Sequence, residues 1–378
     1  MKTIRSFKTS FALFALTALT VLGLVTSRPA LGAASFYSIT DLGSGLSAYD
    51  INNKGEVVGD YYNGSFSHAY LYSDGQLQDL GTLPNGDTSL AYSLNNQSQV
   101  VGRAYAQPNN YDTRAVLWDS NGINDLGSFP DGGFFNGAAF GINESGQVVG
   151  QGQHGLGTNP HAFLYSGGPL QDLGTLGGNS SLASSINRKG QVVGLSQTLY
   201  GSDFNGFSHA FLYSGGSLQD LGTLGGGTVG VESRASSINN KGQVVGSSTI
   251  SPHGRTHAFL WDSSNGMQDL GTLASFDASF ANDINDKGEV VGDSTLTITK
   301  TGGYQMISHA FLYSNGQLQD LNEIPHSSGW DFQQAKAIND RGQIVGAGTI
   351  NGQPHAFIAT PRSLVHDHRD RAATKRHL

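Results

Sequence analysis

Seven times along the chain an apolar residue and an asparagine precede a Val-Val-Gly or Ile-Val-Gly triplet. The asparagines are Asn52, Asn95, Asn143, Asn187, Asn239, Asn285 and Asn339, spaced by 43, 48, 44, 52, 46 and 54 residues. A chain that repeats at such an interval builds one continuous architecture, so its 378 residues do not imply two or three domains. One full unit reads His161-Ala-Phe-Leu-Tyr, then Leu170-Gln-Asp-Leu-Gly, then Ser185-Ile-Asn, then Gln191-Val-Val-Gly194. Val, Ile, Phe, Tyr and Leu fill these runs, and Gly, Asn and Ser bound them, which is the pattern of short strands between tight turns. No segment sustains a helical period. The chain is therefore expected to be all-β.

Four short strands recurring every 40–50 residues are the signature of a β-propeller blade. The count gives seven blades. Tyr37-Ser-Ile-Thr-Asp-Leu-Gly43 is the end of a unit without its beginning, and the last unit stops after His355-Ala-Phe-Ile358. The two fragments are complementary, so the N-terminal strand is expected to complete blade seven and close the ring. An open β-solenoid, the alternative, has no use for complementary half-units and would end in caps. Asn-x-x-Gly suits a type I turn, and Ser166-Gly-Gly or Ser314-Asn-Gly suits a tight hairpin. Unit two departs twice, with Ser98 at the turn glycine and Arg114 at the histidine.

His-Ala-Phe stands intact at 161–163, 209–211, 257–259, 309–311 and 355–357, and becomes His68-Ala69-Tyr70 and Arg114-Ala115-Val116 in the first two units. Together with Ile-Asn-x-x-Gly-Gln-Val-Val-Gly and Leu-Gln-Asp-Leu-Gly-Thr-Leu, this resembles the HAF-repeat family of probable extracellular repeat proteins over Ser35–Pro361. The resemblance implies an exported repeat protein and brings no catalytic residues with it.

The ends agree with export. Lys2, Arg5 and Lys8 precede an apolar run from Phe11 to Val25 and the small residues Leu31-Gly-Ala-Ala34, the layout of a secretory signal cut after Ala33 or Ala34. Residues 1–34 are thus expected to be a signal peptide, 35–361 the propeller, and 362–378 a disordered basic tail. No membrane span is expected once the signal is removed, and the location is secreted, extracellular or periplasmic. The chain has no cysteine, and a fold of this size needs no disulfides. The propeller segment carries twelve basic against twenty-seven acidic side chains, a formal −15, which repels phosphate backbones and excludes nucleic acid as a partner.

The repeated His and the Asp of Asp-Leu-Gly recur together, and copies spread round a ring do not converge on one metal. They read as a structural hydrogen-bonding pair within each blade. Asp50-Ile-Asn-Asn-Lys54 and Asp283-Ile-Asn-Asp-Lys287 begin like calcium loops, but Lys stands at the fifth position and no Glu at the twelfth. Gly150-x-Gly-x-x-Gly155 spells a dinucleotide fingerprint with no helix after it. No catalytic motif, cofactor or metal site emerges.

Recognition is expected where the units differ. The second-to-third connections hold 8, 11, 10, 14, 10, 16 and 8 residues between the last Gly of strand two and the His position, and with the fourth-to-first connections they open on one face. Loops that vary on a rigid scaffold carry recognition. Trp330, Asp331, Phe134, Phe135, Tyr200 and Tyr304 are the candidate ligand-binding residues, Trp330 being the one tryptophan outside the repeat frame. Trp118 and Trp261 take the third-strand Tyr position and read as core. The reading is an exported, non-catalytic binding or scaffold module for a carbohydrate or protein. The alternative is a secreted glycoside-type hydrolase with carboxylates such as Asp50 and Asp283 near the central channel.

Overall fold

The structure is a computed structural model and describes residues 36–108, 112–130, 136–154, 158–199, 207–226, 230–251, 254–300, 303–324 and 329–362. It is a seven-bladed β-propeller of seven four-stranded antiparallel sheets. In blade one the strands run outward from the axis as Leu46–Ile51, Val57–Tyr62, Ser67–Ser73 and Gln76–Asp79. The next five blades repeat this order. Blade seven takes Trp330–Ile338, Ile344–Ile350 and Gln353–Arg362 from the end of the chain and Phe36–Ser44 from its beginning. Phe36 pairs with Arg362 and Asp41 with Phe357, so the expected closure by the N-terminal strand is present. No helix of the described residues is long and apolar enough to cross a membrane. The expected signal peptide falls outside the described residues, as does the expected basic tail apart from Arg362, which ends the last strand.

The core lies between blades. Val58 of blade one packs with Ala91, Val100 and Trp118 of blade two, and Ala48, Ile51 and Val57 pack with Ala337, Val345 and Ile358 of blade seven. The ring is therefore continuous across the chain ends. The phenylalanine of His-Ala-Phe is fully buried at 163, 211, 259, 311 and 357, and each such side chain stabilises by about 2–3 kcal/mol. The alanine between His and Phe is equally specific in its role. In blades one, three, four and five its N–H donates to the Oγ of a serine on the next blade's innermost strand, as Ala210 to Ser233 at 2.8 Å. Each serine hydroxyl then donates to a glycine carbonyl, as Ser233 to Gly222. Trp118 and Trp261 are buried in the core as expected.

Every innermost strand bulges at the same place, at Tyr49, Tyr92, Phe140, Ser184, Ser236, Asn282 and Lys336, and those of blades four and seven have a second register shift nearer their start. The bulge brings the strand against the glycine of Val-Val-Gly. A Cβ on Gly246 would lie 1.9 Å from the Arg234 carbonyl oxygen, and one on Gly59 would lie 1.7 Å from that of Ser47. The recurrent glycine is there for close backbone approach.

Two local expectations change. The 16-residue connection of blade six is no loop: Val290–Lys300 and Gly303–Ser314 stay paired up to Lys300 opposite Gly303, because alternating Thr, Leu and Ile there favour strand. Trp330, expected in a loop, opens an innermost strand and pairs with Ile350. Blade two keeps all four strands despite its substitutions, with Ser98 held at φ 61°.

Candidate functional site

The connectivity makes the two ends of the channel chemically different. Each innermost strand runs down to an Asn-x-x-Gly turn at one rim, while the longer connections open at the other.

At the turn rim the repeated asparagines form a closed circuit. Each side-chain Nδ2 donates to the backbone carbonyl of the next asparagine: Asn52 to Asn95, then Asn143, Asn187, Asn239, Asn285, Asn339 and back to Asn52, at 2.9–3.1 Å. Each Oδ1 accepts the N–H groups two and four residues on, as from Lys241 and Gln243 to Asn239. Nδ2 also donates to the side chain four residues on, such as Gln243. The buried amide is thereby saturated. Sequence reasoning explained these asparagines as turn formers and missed the circuit, whose one signal was the same residue type at all seven turns.

The adjoining positions hold a second, unequal ring. Asn53 pairs with Asp340, Asn96 with Glu144 and Asn240 with Asp286, and the Asp286 N–H donates to Asp340. Together the two rings line a cavity of about 190 Å³.

Deeper in the channel lie Asp50 and Asp283. Asp50 accepts from Ile51 N, Ser93 Oγ and Leu94 N. Asp283 accepts from Ser237 Oγ and Ile338 N. Burial, reinforced by the charge of Asp283, pushes the Asp50 carboxyl up to about 6. Burial also raises Asp283. Both acids join neighbouring blades, and their oxygens are committed to those bonds.

At the long-loop end the wall is built from the bulge residues, and here the blades differ. Tyr49, Tyr92 and Phe140 form an aromatic arc, with ring centroids 5.8 Å and 5.3 Å apart and the Arg103 guanidinium 5.9 Å above Tyr92. Ser184, Ser236, Asn282 and Lys336 complete the circle. The space they enclose, with Arg234, Phe280 and Asp293 from the same strands and their neighbours, measures about 390 Å³ and is lined from six blades. Burial lowers Lys336 against the opposing pull of Asp293, and burial raises Asp293. Asn282 Nδ2 reaches both Asp293 and the Ala335 carbonyl.

The repeated His and Asp do bond within each blade. Nδ1 of His68, His161, His209, His257 and His309 lies 2.6–2.9 Å from Asp79, Asp172, Asp220, Asp269 and Asp320. In blade seven His355 reaches Asp41 of the N-terminal strand at 2.8 Å. Arg114 replaces the histidine of blade two and sits 3.7 Å from Asp125.

The sequence candidates are scattered. Trp330 stacks on Phe332 at 5.7 Å and meets His355 and Phe357 edge-on, packed against the blade-seven core. Asp331 beside it is exposed and accepts from Gln333. Tyr304, 78% exposed, stands near the tip of the blade-six hairpin. Phe134, Phe135 and Tyr200 lie outside the described residues. None of the three described candidates lines the channel cavity, and the bulge residues that do were not singled out from sequence. Their signal was the variable residue between the conserved-looking Ala and the apolar-Asn pair.

Residues 226–366 match a family described as a protein of unknown function (DUF3466). No curated protein matches the chain. Among solved structures it is similar to the β-propeller domain of the Trilobed protease from Pyrococcus furiosus, with 7% identity, a TM-score of 0.49, and 86% of this chain and 96% of that one covered. It is also similar to TolB from Acinetobacter baumannii, with 15% identity, a TM-score of 0.43 and 70% of this chain covered. The chain spans 65% of the length of that TolB structure. A third similar structure is Trypanosoma rangeli sialidase, with 12% identity, a TM-score of 0.39, and 86% of this chain and 55% of that one covered.

Proposed function

We propose that this chain is an exported, non-catalytic binding module of the HAF-repeat type, and that its ligand is a carbohydrate held at the long-loop end of the channel. The observation that carries the reading is the two-sided wall of the 390 Å³ cavity. Tyr49 and Phe140 offer aromatic faces on one side, and Ser236, Asn282, Lys336 and Asp293 offer donors and acceptors on the other. A sugar ring has the matching chemistry, with an apolar C–H face and a rim of hydroxyls. The surrounding face adds Trp330, Asp331 and Tyr304 as candidate contacts to a longer chain, and Phe134, Phe135 and Tyr200 remain candidates from the sequence alone. A hydrolase with Asp50 and Asp283 as its carboxylates is the weaker reading, because their oxygens already accept hydrogen bonds, from neighbouring blades and, at Asp50 Oδ1, from Ile51 N.

Affinity electrophoresis of the mature protein through gels containing soluble polysaccharides tests this directly. The expected result is retardation by at least one polysaccharide, weakened about tenfold or more in Tyr49→Ala and Phe140→Ala. Trp330→Ala is expected to weaken it less. Equal retardation of all variants would remove the channel mouth from the site. Release of reducing ends, abolished by Asp50→Asn, would replace the binder by the hydrolase. Capture of a protein that free sugar does not displace would make the ligand a protein. N-terminal sequencing of exported material is expected to start at Ala34 or Ser35; an intact Met1 would refute export through this leader.

A further inference from the structure

Blade three contains a histidine that the other blades lack. His154 follows the second strand, Val148–Gln153. The corresponding positions in the other blades, four residues after the Val-Val-Gly or Ile-Val-Gly glycine, are Asn63, Ala106, Thr198, Ile250, Leu296 and Ile350. Its Nε2 lies 2.9 Å from Asp172 Oδ2, the same oxygen that His161 Nδ1 approaches at 2.9 Å. Three donor atoms from three strands or their ends thus converge, all within 4.8 Å of one another. The two rings meet nearly at right angles, with centroids 5.2 Å apart, so their nitrogens aim at one point from different directions.

The set is held from outside. Phe129, buried, stacks on His154 at 4.1 Å with planes 2° apart. The other oxygen of Asp172 accepts the Gly174 N–H at 2.7 Å. Fixed outer contacts of this kind orient the ligands of metal sites. Among the described residues of the other blades, one His meets one Asp, or in blade two Arg114 meets Asp112 and Asp125, and no second imidazole joins them.

We propose that His154, His161 and Asp172 bind a divalent transition-metal ion, with zinc as the best fit. Two imidazole nitrogens and one carboxylate oxygen suit a first-row metal of intermediate softness; calcium and magnesium prefer all-oxygen shells. Ligands at about 2.0–2.2 Å around a tetrahedral ion lie roughly 3.4 Å apart, so the present 2.9 Å contacts need to open only slightly. The ion displaces the protons that now lie between the rings and Asp172. Solvent reaches 26% of each histidine side chain and 32% of Asp172, leaving a fourth coordination position for water or a ligand atom.

Isothermal titration of the full chain with zinc chloride is expected to show one tight site, with a rise in melting temperature. His154→Ala and Asp172→Asn should weaken that site roughly 100-fold or more, while His257→Ala, in a blade with the ordinary pair, leaves it unchanged. Cobalt(II) substitution should give visible absorption of tetrahedral intensity that His154→Gln abolishes. Circular dichroism of the variants separates lost ligation from lost folding. Zinc binding that survives His154→Ala, as it would if the tail residues His366, His368 and His377 held the ion, overturns the proposal. So does the absence of binding to the wild-type chain at millimolar zinc.

Discussion

The two ends of the channel are made from the same seven strands, three residues apart, and they obey opposite rules. At the turn rim every blade supplies asparagine, and the seven amides bond in one rotational sense from Asn52 round to Asn339. At the long-loop end the bulge position holds Tyr, Tyr, Phe, Ser, Ser, Asn and Lys in turn. A circuit in which each member satisfies its neighbour tolerates no substitute, because one loss orphans buried groups in two blades. A bulge side chain faces the channel and belongs to no circuit that must close; even Asn282, which reaches the Ala335 carbonyl, does so alone. Uniformity marks the end that builds the ring, and variety marks the end free to recognise something.

This contrast is open to attack in order of effect. Gly246→Ala forces a Cβ to within 1.9 Å of the Arg234 carbonyl, where only backbone can give way. It is expected to cost more than about 4 kcal/mol and to leave little folded protein in denaturant melts. Asn239→Ala removes a residue that donates to Gln243 and Asn285 and accepts from Lys241 and Gln243. A loss of about 3 kcal/mol in urea unfolding is expected, and a loss under 1 would show the circuit to be decorative.

Asp50 tests the middle of the channel. Its carboxyl is raised from 3.8 to about 6, so the folded state binds a proton more tightly than the unfolded one. The ionised form is penalised in full above pH 6, and the penalty fades as pH falls towards 3.8. Asp50 thus makes stability fall between about pH 4 and 6 by roughly 1–3 kcal/mol. Asp50→Asn should flatten the pH dependence of stability in that window, and an unchanged slope would place the charge elsewhere.

His257→Ala is expected to cost about 1–2 kcal/mol, since its partner Asp269 is 43% exposed and recovers hydration. Ser236→Ala, three residues before Asn239, should stay within about 0.5 kcal/mol. Were Ser236→Ala to match Asn239→Ala in cost, the two ends would not differ as described.

Much of the fold was legible in the sequence because repetition converts weak local signals into a strong one. Four brief apolar runs mean little once; seven copies, with Tyr37–Gly43 matching the gap after Ile358, define a closed ring. The His and Asp pairing was legible for the same reason. The site was not. The bulge at Tyr49 or Phe140 arises from a register shift, and register depends on partners that no single unit displays. Trp330 drew notice as an unrepeated residue, yet Phe332, His355 and Phe357 surround it. Novelty in a sequence does not say which way a side chain points. His154 escaped because its meaning depends on His161 and Asp172, which looked ordinary beside their repeats.

The joint between Asp41 and His355 spans 314 residues of chain, and it sets the order of events in folding. The strand translated first is the last to find its partner. It must stay unpaired while six complete blades assemble behind it, and closing a loop of that length costs about 5 kcal/mol in chain entropy before any contact is made. Long-range pairing of this kind slows folding and leaves a bare strand edge exposed in the meantime. A nascent chain that stops before Gln353 therefore carries two unsatisfied edges, one on blade seven and one on its own first strand. Only once Gln353–Arg362 has been made can the ring be sealed.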